Sequence, residues 1–523
     1  MEHFFQDMFS SHYRRNPEKE AVCDCETGVR YTWADLQVYE QQLVGFCTHE
    51  LGLKKGDRVA FFCPSDVSML AMFMASLKTG LILVAYSYRL KAEELAVMFT
   101  NETPSAVFYA KESAAKLSKI RQLSNVSFNT ISIDDDETAD YSLVSVRAGS
   151  YPPAPTVRLN PEDPAILVHT GGTTGLPKAA ILSYRNIFMN MVIEMKEFGL
   201  CKHDRIYTAM PFFHTGGWNC YSLVIMFVGG RLMLDKAFSV DTFYRLMEQE
   251  HLTAFMGVER MFKLITRDSR FETCDLSSLQ YVISGGSPVE KSVMMSFMDR
   301  GIRFFNGFGS TESGANNSSL SFEASLDRVK EQYQAIGKPF AFNYFRIVDE
   351  EENDVPRGEQ GELITCGGVL FSGYWNNEEA TKKALRNGWF HTGDMAYVDE
   401  FGDYHICGRI KNMYISGGEN VFPPEIERVL QEYPGIREVH VQGVPDVDWG
   451  EVGKAYIVLG SGVEFDREQF DAFCKKNLST IKRPHHVQVV PSIPKTLMGK
   501  VNTKQLLQMY EAEPEETEDI ARG

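Results

Sequence analysis

The chain of 523 residues is too long for one hydrophobic core, so its length predicts at least two domains. Its 44% hydrophobic and 24% charged residues are the composition of an ordinary globular protein. The net charge of −17 argues against a general nucleic-acid-binding protein, which usually has a basic face. Any polyanionic ligand must therefore be held by local positive charge.

The ten cysteines include no CxxC pair, which predicts reduced, mostly buried thiols, a cytoplasmic location and no zinc site. Residues 1–17 lack the continuous apolar stretch of a signal peptide. The most apolar windows, residues 69–85 and 221–228, are too short or too interrupted to span a bilayer. The sequence therefore predicts a soluble protein without a transmembrane segment, and it leaves a homo-oligomer open.

The first part of the chain alternates strand-like and helix-like segments. Thr32 and Asp35 have the spacing of a capping box at the start of a helix that runs toward Leu51. A second helix is predicted at residues 67–78. This alternation predicts parallel sheets covered by helices. The predicted strands are residues 58–63, 81–86, 105–109, 126–133, 205–209, 230–234, 254–258 and 281–284.

The pattern changes twice in the second half of the chain. From Phe345 it becomes β-rich, and after Gly408 a new unit begins. In that unit we expect helices at residues 423–432 and 467–477 and strands at residues 439–444 and 455–459. The predicted fold is α/β: a large N-terminal domain of parallel-rich sheets with a small β-rich part, then a small mobile α+β domain. The predicted divisions are residues 1–408, a hinge at 409–411, and 412–523 with a disordered acidic tail.

Residues 165–180, AILVHTGGTTGLPKAA, join an apolar run to a loop rich in glycine and threonine. The run predicts a buried strand that leads into a tight loop. In such a loop, glycines let backbone N–H groups face an anion, threonines add hydroxyl donors and a lysine adds charge. The loop is not a Walker A motif, because Lys178 follows a proline. It is either a solvent loop or a phosphate-binding loop, whose candidate ligands are Thr170, Gly171, Gly172, Thr173, Thr174, Gly175 and Lys178.

Five further stretches carry residue types suited to nucleotide chemistry. Taken singly, each has a plain structural explanation, such as a histidine in a turn, a helix-capping Thr/Glu pair, a Gly-Asp turn or a surface lysine. Their chance assembly in this order is negligible. The stretches are residues 211–217 (PFFHTGG), 283–290 with 306–312 (ISGGSPVE, NGFGSTE), 388–396 (GWFHTGDMA), 408–427 (GRIKNMYISGGENVFPPEIE) and 493–506 (IPKTLMGKVNTKQL).

Together with the loop, these stretches resemble the adenylate-forming superfamily, and within it the acyl-CoA synthetases for fatty or aryl acids. The resemblance covers most of the chain, including FSGYWNNEEAT at residues 371–381. It implies that Thr311 hydrogen-bonds the α-phosphate, Glu312 holds Mg²⁺, Asp394 accepts from the ribose hydroxyls, and Arg409 reaches the ribose or phosphates. The adenine is expected to lie between Gly285, Gly286 and the Phe308 ring. The other predicted ATP-binding residues of these stretches are Ser287, Asn306, Gly307 and Gly309.

The resemblance also implies catalytic and acyl-binding roles. His214 would be an aromatic gate, and Lys500 would bridge the attacking carboxylate and the adenylate; with Thr311 and Glu312 these form the predicted catalytic set. The hinge would be Lys411. The predicted acyl pocket is His214, Trp218, Val258, Gly285 and Phe308, and the pantetheine passage is Ser416, Gly417 and Gly418.

The implied reaction uses ATP, Mg²⁺ and coenzyme A in two steps. A carboxylic acid forms an acyl-adenylate, and coenzyme A then displaces AMP. The PFFHTGG stretch has no aspartate to pair with an ammonium, which favours a substrate whose only charge is its carboxylate. The alternatives are an aryl- or dicarboxylic acid–CoA ligase, an adenylation enzyme that loads a carrier protein, and a nucleotide-binding pseudoenzyme, against which the intact Lys500, Glu312 and Asp394 count.

Overall fold

The computed structural model describes residues 8–134, 136–171, 177–286, 289–495 and 501–510. Residue contacts divide the chain into two compact units. The first unit is Met1–Gln334, Lys338–Tyr344 and Thr365–Phe390; the second is Ala335–Gly337, Phe345–Ile364 and His391–Gly523. The predicted hinge lies within the second unit. The division into compact units does not test movement about the hinge, which stays a prediction. The predicted acidic tail lies outside the described residues.

The first unit contains a seven-stranded sheet, here called the first sheet. All its neighbouring strands are parallel except the last pair, which is antiparallel. In spatial order the strands are Arg303–Asn306, Tyr281–Ser284, Ala254–Gly257, Arg205–Thr208, Arg231–Leu234, Glu20–Asp24 and Arg30–Thr32. The predicted strands near residues 205, 230, 254 and 281 are confirmed as neighbours.

The second sheet of this unit has the same plan, six parallel strands and one antiparallel edge strand. Its order is Tyr141–Ser142, Asn129–Ser132, Ala106–Tyr109, Arg58–Phe62, Ile82–Ala85, Pro164–Thr170 and Lys178–Ser183. Apolar side chains such as Phe62, Val84 and Leu167 form its core. The prediction of parallel-rich sheets is therefore confirmed.

Helices connect these strands. The predicted capping box is present, because the Thr32 hydroxyl accepts from the Asp35 N–H at 3.2 Å and Asp35 accepts from the Thr32 N–H at 2.8 Å. The described helices of the first unit are Ser10–Arg15, Trp33–Gly45, Val67–Thr79, Ala92–Glu102, Ala114–Ser124, Leu143–Ala148, Tyr184–Phe198, Thr215–Trp218, Ser222–Val228, Val240–Glu250, Glu259–Arg267, Arg270–Thr273, Lys291–Asp299, Leu326–Glu331 and Glu378–Ala384. None of the helices in the described ranges is long and apolar enough to cross a membrane.

Two smaller sheets are also present, and the second of them confirms the β-rich part predicted from Phe345. One consists of Phe308–Ser310, Gly314–Ser319 and Lys338–Pro339. The other consists of Asn343–Val348, Gly361–Gly367, Trp389–Val398, Leu385–Arg386 and Tyr404–Arg409. The boundary between the two units passes through strands of this second small sheet.

The carboxyl-terminal part of the second unit is an α+β fold. Its sheet consists of Glu419–Val421, Tyr414–Ser416, Gly450–Leu459, Ile436–Asp446 and His486–Val489. Its helices are Pro423–Gln431, Arg467–Asn477 and Thr503–Tyr510. Ile426, Leu430, Ile457 and Phe470 form the core between helices and sheet. The two long strands extend beyond their predicted ends because they pair with each other along almost their whole length.

Candidate active site

Four neighbouring strands of the first sheet lead into the predicted nucleotide and acyl residues. In register, Gly257 lies beside Ser284, and Ser284 lies beside Asn306. Val258, Gly285 and Gly307 therefore follow the carboxyl ends of adjacent parallel strands. Open α/β sheets bind ligands at this edge, so the structure brings these three predicted positions together where a ligand is expected.

His214 follows the next strand, Arg205–Thr208, within a compact turn. Its N–H donates to the Pro211 carbonyl at 3.0 Å, and its carbonyl accepts from Gly217 N–H at 3.0 Å. A Cβ on Gly217 would lie 2.5 Å from the Pro211 oxygen, so only glycine fits there. The turn leaves the His214 ring partly exposed beside Phe213, with 4.7 Å between ring centroids.

Trp218, predicted to line the acyl pocket, is almost fully buried. Its indole N–H donates to the Phe212 carbonyl at 2.6 Å, and its ring stacks on Phe212 at 4.5 Å. Val258 is also buried, directly before the helix Glu259–Arg267. Both residues therefore shape this region through packing, and their contact with an acyl group stays a prediction.

Two of the predicted ATP-binding residues lie in a hairpin. Phe308 and Gly309 lie in the strand Phe308–Ser310, which pairs with Gly314–Ser319. A Cβ on Gly309 would come within 2.3 Å of the Ala315 carbonyl oxygen, so close strand approach requires this glycine. Phe308 is partly exposed, and Gly286 has nothing within 4 Å of its Cβ position. Purine stacking on these residues stays a prediction, and Ser287 lies outside the described residues.

Thr311 and Glu312 occupy the turn of this hairpin, and both are partly exposed. The turn is closed by reciprocal bonds of the flanking serines: Ser310 N–H donates to Ser313 Oγ, and Ser313 N–H to Ser310 Oγ, each at 3.1 Å. The Glu312 carbonyl accepts from Phe371 N–H at 2.9 Å. These bonds hold the Thr311 and Glu312 side chains at one end of the hairpin.

The predicted phosphate loop joins two antiparallel strands, with Thr170 paired to Lys178 across the hairpin. The buried strand expected before the loop is Pro164–Thr170. Thr170 donates from its hydroxyl to the Lys178 carbonyl at 3.5 Å. A Cβ on Gly171 would meet nothing within 4 Å. Gly172, Thr173, Thr174 and Gly175 lie outside the described residues, so their phosphate contacts stay a prediction.

Tyr374 links the phosphate hairpin to the Glu312 turn. Its hydroxyl donates to Glu312 Oε1 at 2.8 Å, and the Lys178 Nζ lies 5.1 Å from its ring centroid. Burial, with the charge and hydrogen bond of Glu312, raises the pKa of Tyr374 above its usual value, so the phenol is a neutral donor. Sequence reasoning matched FSGYWNNEEAT to the superfamily but gave Tyr374 no role.

In the second unit, Asp394 and Arg409 are opposite each other on paired strands. Arg409 Nε lies 2.7 Å from Asp394 Oδ1, and Arg409 Nη1 donates to the Thr392 carbonyl at 2.8 Å. The Thr392 hydroxyl accepts from the Asp394 N–H at 3.0 Å and donates to the Leu363 carbonyl at 2.6 Å. Asp394, predicted to bind the ribose, and Arg409, predicted to reach the ribose or phosphates, therefore form an ion pair across two paired strands.

Glu362 supports the same turn, and sequence reasoning missed it. Its Oε1 accepts from Gly393 N–H at 3.0 Å, and its Oε2 lies 2.8 Å from His391 Nδ1. Gly393 has φ +69°, a conformation that favours glycine. The only sequence signal was its place in the GELITCGG strand, 32 residues before Asp394.

The remaining predicted residues of the second unit follow Arg409 in sequence. Lys411 is exposed in a short turn after Tyr404–Arg409. Gly417 and Gly418 are the two central residues of a hairpin, with φ +58° and +85°. Such a two-residue turn requires positive φ at both positions, so the hairpin itself explains the glycines that the sequence assigned to a pantetheine passage. Ser416 is buried beside them.

Lys500 lies outside the described residues, so the structure does not locate the predicted catalytic lysine. The chain on either side of it is anchored in the second unit. Lys495 and Val501 form a β-bridge, and Lys495 Nζ lies 3.0 Å from Glu438. Ile493 is buried in a small apolar cluster with Val490.

Within the described ranges, no group of three or more His, Cys, Asp or Glu side chains could hold a metal by itself. Mg²⁺ is usually bound through one or two carboxylates together with substrate phosphates. Glu312 fits that mode, because a partly exposed carboxylate bonded by a neutral hydroxyl keeps its charge and further lone pairs.

Comparison with known proteins identifies the chain. The sequence profile of the AMP-binding enzyme family matches residues 9–375, and that of the AMP-binding enzyme C-terminal domain matches residues 425–500. The chain belongs to this family. As an AMP-binding enzyme it is an AMP-forming acid–thiol ligase of the acyl-CoA synthetase type, which confirms the enzyme class predicted from the motifs.

This AMP-binding enzyme is 34% identical over 492 residues to a feruloyl-CoA synthase of an Amycolatopsis species, covering 93% of this chain and 95% of the relative. It is 29% identical over 531 residues to a long-chain-fatty-acid–CoA ligase of Escherichia coli O6:H1, covering 96% and 93%. Among solved structures, ATP-bound MatB from Rhodopseudomonas palustris is similar, with a TM-score of 0.87 and 28% identity over 97% of this chain and 99% of that one.

Proposed function

We propose that this enzyme converts a hydrophobic carboxylic acid, ATP and coenzyme A to acyl-CoA, AMP and pyrophosphate through an acyl-adenylate. One observation supports placing the ATP site at residues that the structure describes. Lys178 of the phosphate hairpin and Glu312 of the Thr311 turn contact the same side chain, Tyr374. A cation for phosphates and a carboxylate for Mg²⁺ therefore belong to one site, close to the ligand-binding edge of the first sheet.

In the first step, a carboxylate oxygen attacks the α-phosphorus of ATP, the bond to the bridging oxygen breaks and pyrophosphate leaves. Thr170, Gly171 and Lys178 would bind the β- and γ-phosphates, and Thr311 the α-phosphate. Mg²⁺ at Glu312 would offset phosphate charge. Lys500 would stabilise the negative charge that develops during attack. Positioning and charge stabilisation would supply most of the acceleration.

In the second step, the coenzyme A thiolate attacks the acyl carbonyl and AMP leaves. Asp394 would hold the ribose through both steps, because a buried carboxylate accepts well from two hydroxyls. Movement about Lys411 would exchange Lys500 for the Gly418 turn between the two steps. This exchange is a proposal from the superfamily resemblance.

The substrate is proposed to be an aryl or fatty acid without an amino group. The His214 turn carries aromatic neighbours, Phe212 and Phe213, and no carboxylate. An ammonium placed there would lack a partner, which is costly in an apolar setting. The names of the feruloyl- and fatty-acyl-CoA relatives fit this class.

A pyrophosphate-release screen tests the proposal. The panel contains arylpropenoic acids, fatty acids of several lengths, dicarboxylic acids and free amino acids, each with and without coenzyme A. We expect the strongest, coenzyme A-dependent turnover with an aryl or fatty acid. Stronger stimulation by an amino acid than by any simple acid would contradict the substrate class, and release without thioester formation would favour a carrier-protein acceptor.

A further inference from the structure

Tyr374 contacts two groups of opposite charge that come from distant parts of the sequence. Its hydroxyl bonds the Glu312 carboxylate at 2.8 Å, and its ring faces the Lys178 ammonium at 5.1 Å. The first contact is a charge-assisted hydrogen bond, and the second has the geometry of a cation–π interaction. Neither contact neutralises the charge it touches.

The main chain around Tyr374 is fixed against the same two elements. Ser372 N–H donates to the Ile181 carbonyl at 3.0 Å, and Trp375 N–H donates to the Ala179 carbonyl at 2.8 Å. These bonds place residues 372–375 along the strand that begins at Lys178. Phe371 N–H bonds the Glu312 carbonyl at 2.9 Å. Tyr374 therefore has little freedom to move relative to either charged residue.

We propose that Tyr374 is a positioning residue that orients Glu312 for Mg²⁺ and Lys178 for phosphate before the nucleotide binds. Its hydroxyl occupies Oε1 of the carboxylate and leaves the negative charge available. Its ring holds the lysine through the face of the aromatic system and leaves the ammonium hydrogens available. The inference rests on the proposed function, because it concerns the Mg²⁺–ATP site of that reaction.

The first experiment measures binding of Mg²⁺ with a non-hydrolysable ATP analogue by calorimetry, without acid or coenzyme A. Tyr374→Phe removes only the hydroxyl. We expect it to weaken binding roughly tenfold, as for a lost hydrogen bond to a charged group, and to raise the Mg²⁺ concentration needed for half-maximal binding. Because an unfolded fraction would also weaken the apparent affinity, the folded fraction of each variant is measured by circular dichroism under the same conditions.

The chain offers a matched control in the same unit. The Tyr244 hydroxyl donates to the Ile265 carbonyl at 2.8 Å, and the Arg270 guanidinium lies 4.7 Å from its ring centroid. Tyr244→Phe therefore removes a hydroxyl from a similarly bonded tyrosine without touching Glu312. We expect it to leave the Mg²⁺ dependence of nucleotide binding unchanged. An equal shift in both variants would overturn the proposal by showing a general loss of stability.

A double-mutant cycle separates the hydroxyl from the ring. Tyr374→Phe and Lys178→Met should have additive effects on nucleotide binding, because the ring that faces Lys178 is retained. Tyr374→Leu and Lys178→Met should have non-additive effects on nucleotide binding, because leucine removes the ring that faces Lys178. Wild-type Mg²⁺ dependence in Tyr374→Phe, or additivity in both cycles, would overturn the positioning role. Failure of the wild-type enzyme itself to bind Mg²⁺–ATP would instead contradict the proposed function.

Discussion

Glu312 in the first unit and Asp394 in the second are both carboxylates predicted to bind one nucleotide, yet their surroundings differ. Glu312 is partly exposed and accepts from a neutral phenol. Asp394 is buried and forms an ion pair with Arg409 at 2.7 Å. A carboxylate bonded by a neutral donor keeps its net charge, whereas one paired with a guanidinium is compensated.

The contrast suits the two ligands. The uncompensated charge of Glu312 would attract the Mg²⁺ proposed to bind there. Ribose hydroxyls need lone pairs at a fixed place, and a compensated carboxylate offers these without attracting a metal. Arg409 also fixes the direction of the Asp394 lone pairs through its bond to the Thr392 carbonyl. Removing the charge of Glu312 should therefore affect the Mg²⁺ dependence of ATP binding, whereas removing that of Asp394 should affect recognition of the ribose.

The largest effect is expected for Glu312→Gln, which keeps the shape of the side chain and removes its charge. Formation of the acyl-adenylate should slow by roughly 10²–10³-fold, the range seen when one electrostatic stabiliser is lost. Single-turnover measurement over a range of Mg²⁺ concentrations checks this. Thioester formation from supplied acyl-adenylate should change little. Unchanged Mg²⁺ dependence of the variant would contradict a metal role for Glu312.

Asp394→Asn should have a smaller effect of a different kind. Losing charge-assisted bonds worth about 1.5–3 kcal/mol each should lower kcat/KM for ATP by roughly tenfold to 10²-fold. The Mg²⁺ requirement should stay as in the wild type. Replacing ATP with 2′-deoxy-ATP should harm the wild type more than the variant. Equal sensitivity of both proteins to the missing hydroxyl would show that Asp394 does not contact the ribose.

Both carboxylates could be proposed as nucleotide ligands from the sequence because each lies in a short motif. The residues that bond to these carboxylates or to their turns, Tyr374 and Glu362, could not be identified from the sequence. Tyr374 lies 62 residues after Glu312, and Glu362 lies 31 residues before Gly393. Nothing in spacing or periodicity connects residues so far apart; the connection comes from the pairing of strands in the folded chain.

The elements themselves were predicted well where the pattern was local. The capping box at Thr32 and the helix at Arg467–Asn477 depend on residues within one or two helical turns. Strand ends were less accurate, because long-range pairing extends Ile436–Asp446 beyond its apolar centre. Gly417 and Gly418 show a different limitation of the sequence. A two-residue hairpin turn and a passage for a ligand both require glycine there, so the residue type alone does not distinguish the two explanations.

Glu362→Gln should have a modest effect that is specific to the Asp394 turn. The amide keeps an acceptor for the Gly393 N–H but presents a donor or a neutral oxygen to His391. We expect roughly fivefold weaker ATP binding, equivalent to about 1 kcal/mol. Asp471→Asn, which breaks the Arg467 ion pair in the same unit, serves as the control. A similar loss in the control would contradict a positioning role for Glu362.

A third carboxyl group, Glu194, differs from both because it is fully buried and forms no ion pair within the described ranges of the chain. It is fully buried in the helix Tyr184–Phe198, and Asn316 donates to its Oε1 at 3.1 Å. Burial raises the pKa of Glu194 well above its usual value, and the bond from Asn316 only partly offsets this. Complete burial without a cation therefore favours a neutral acid, whereas partial exposure leaves Glu312 suited to a metal.

This difference also predicts a pH dependence of stability. In the unfolded chain Glu194 loses its proton near pH 4.5, whereas the folded protein retains it to higher pH. Between these two pKa values the unfolded state binds fewer protons, so rising pH lowers the free energy of unfolding by up to about 1.4 kcal/mol per pH unit. Glu194→Gln cannot ionise and should lack this contribution. Urea unfolding of both proteins across that interval measures the difference, and parallel stability curves would show that Glu194 has the same charge in both states.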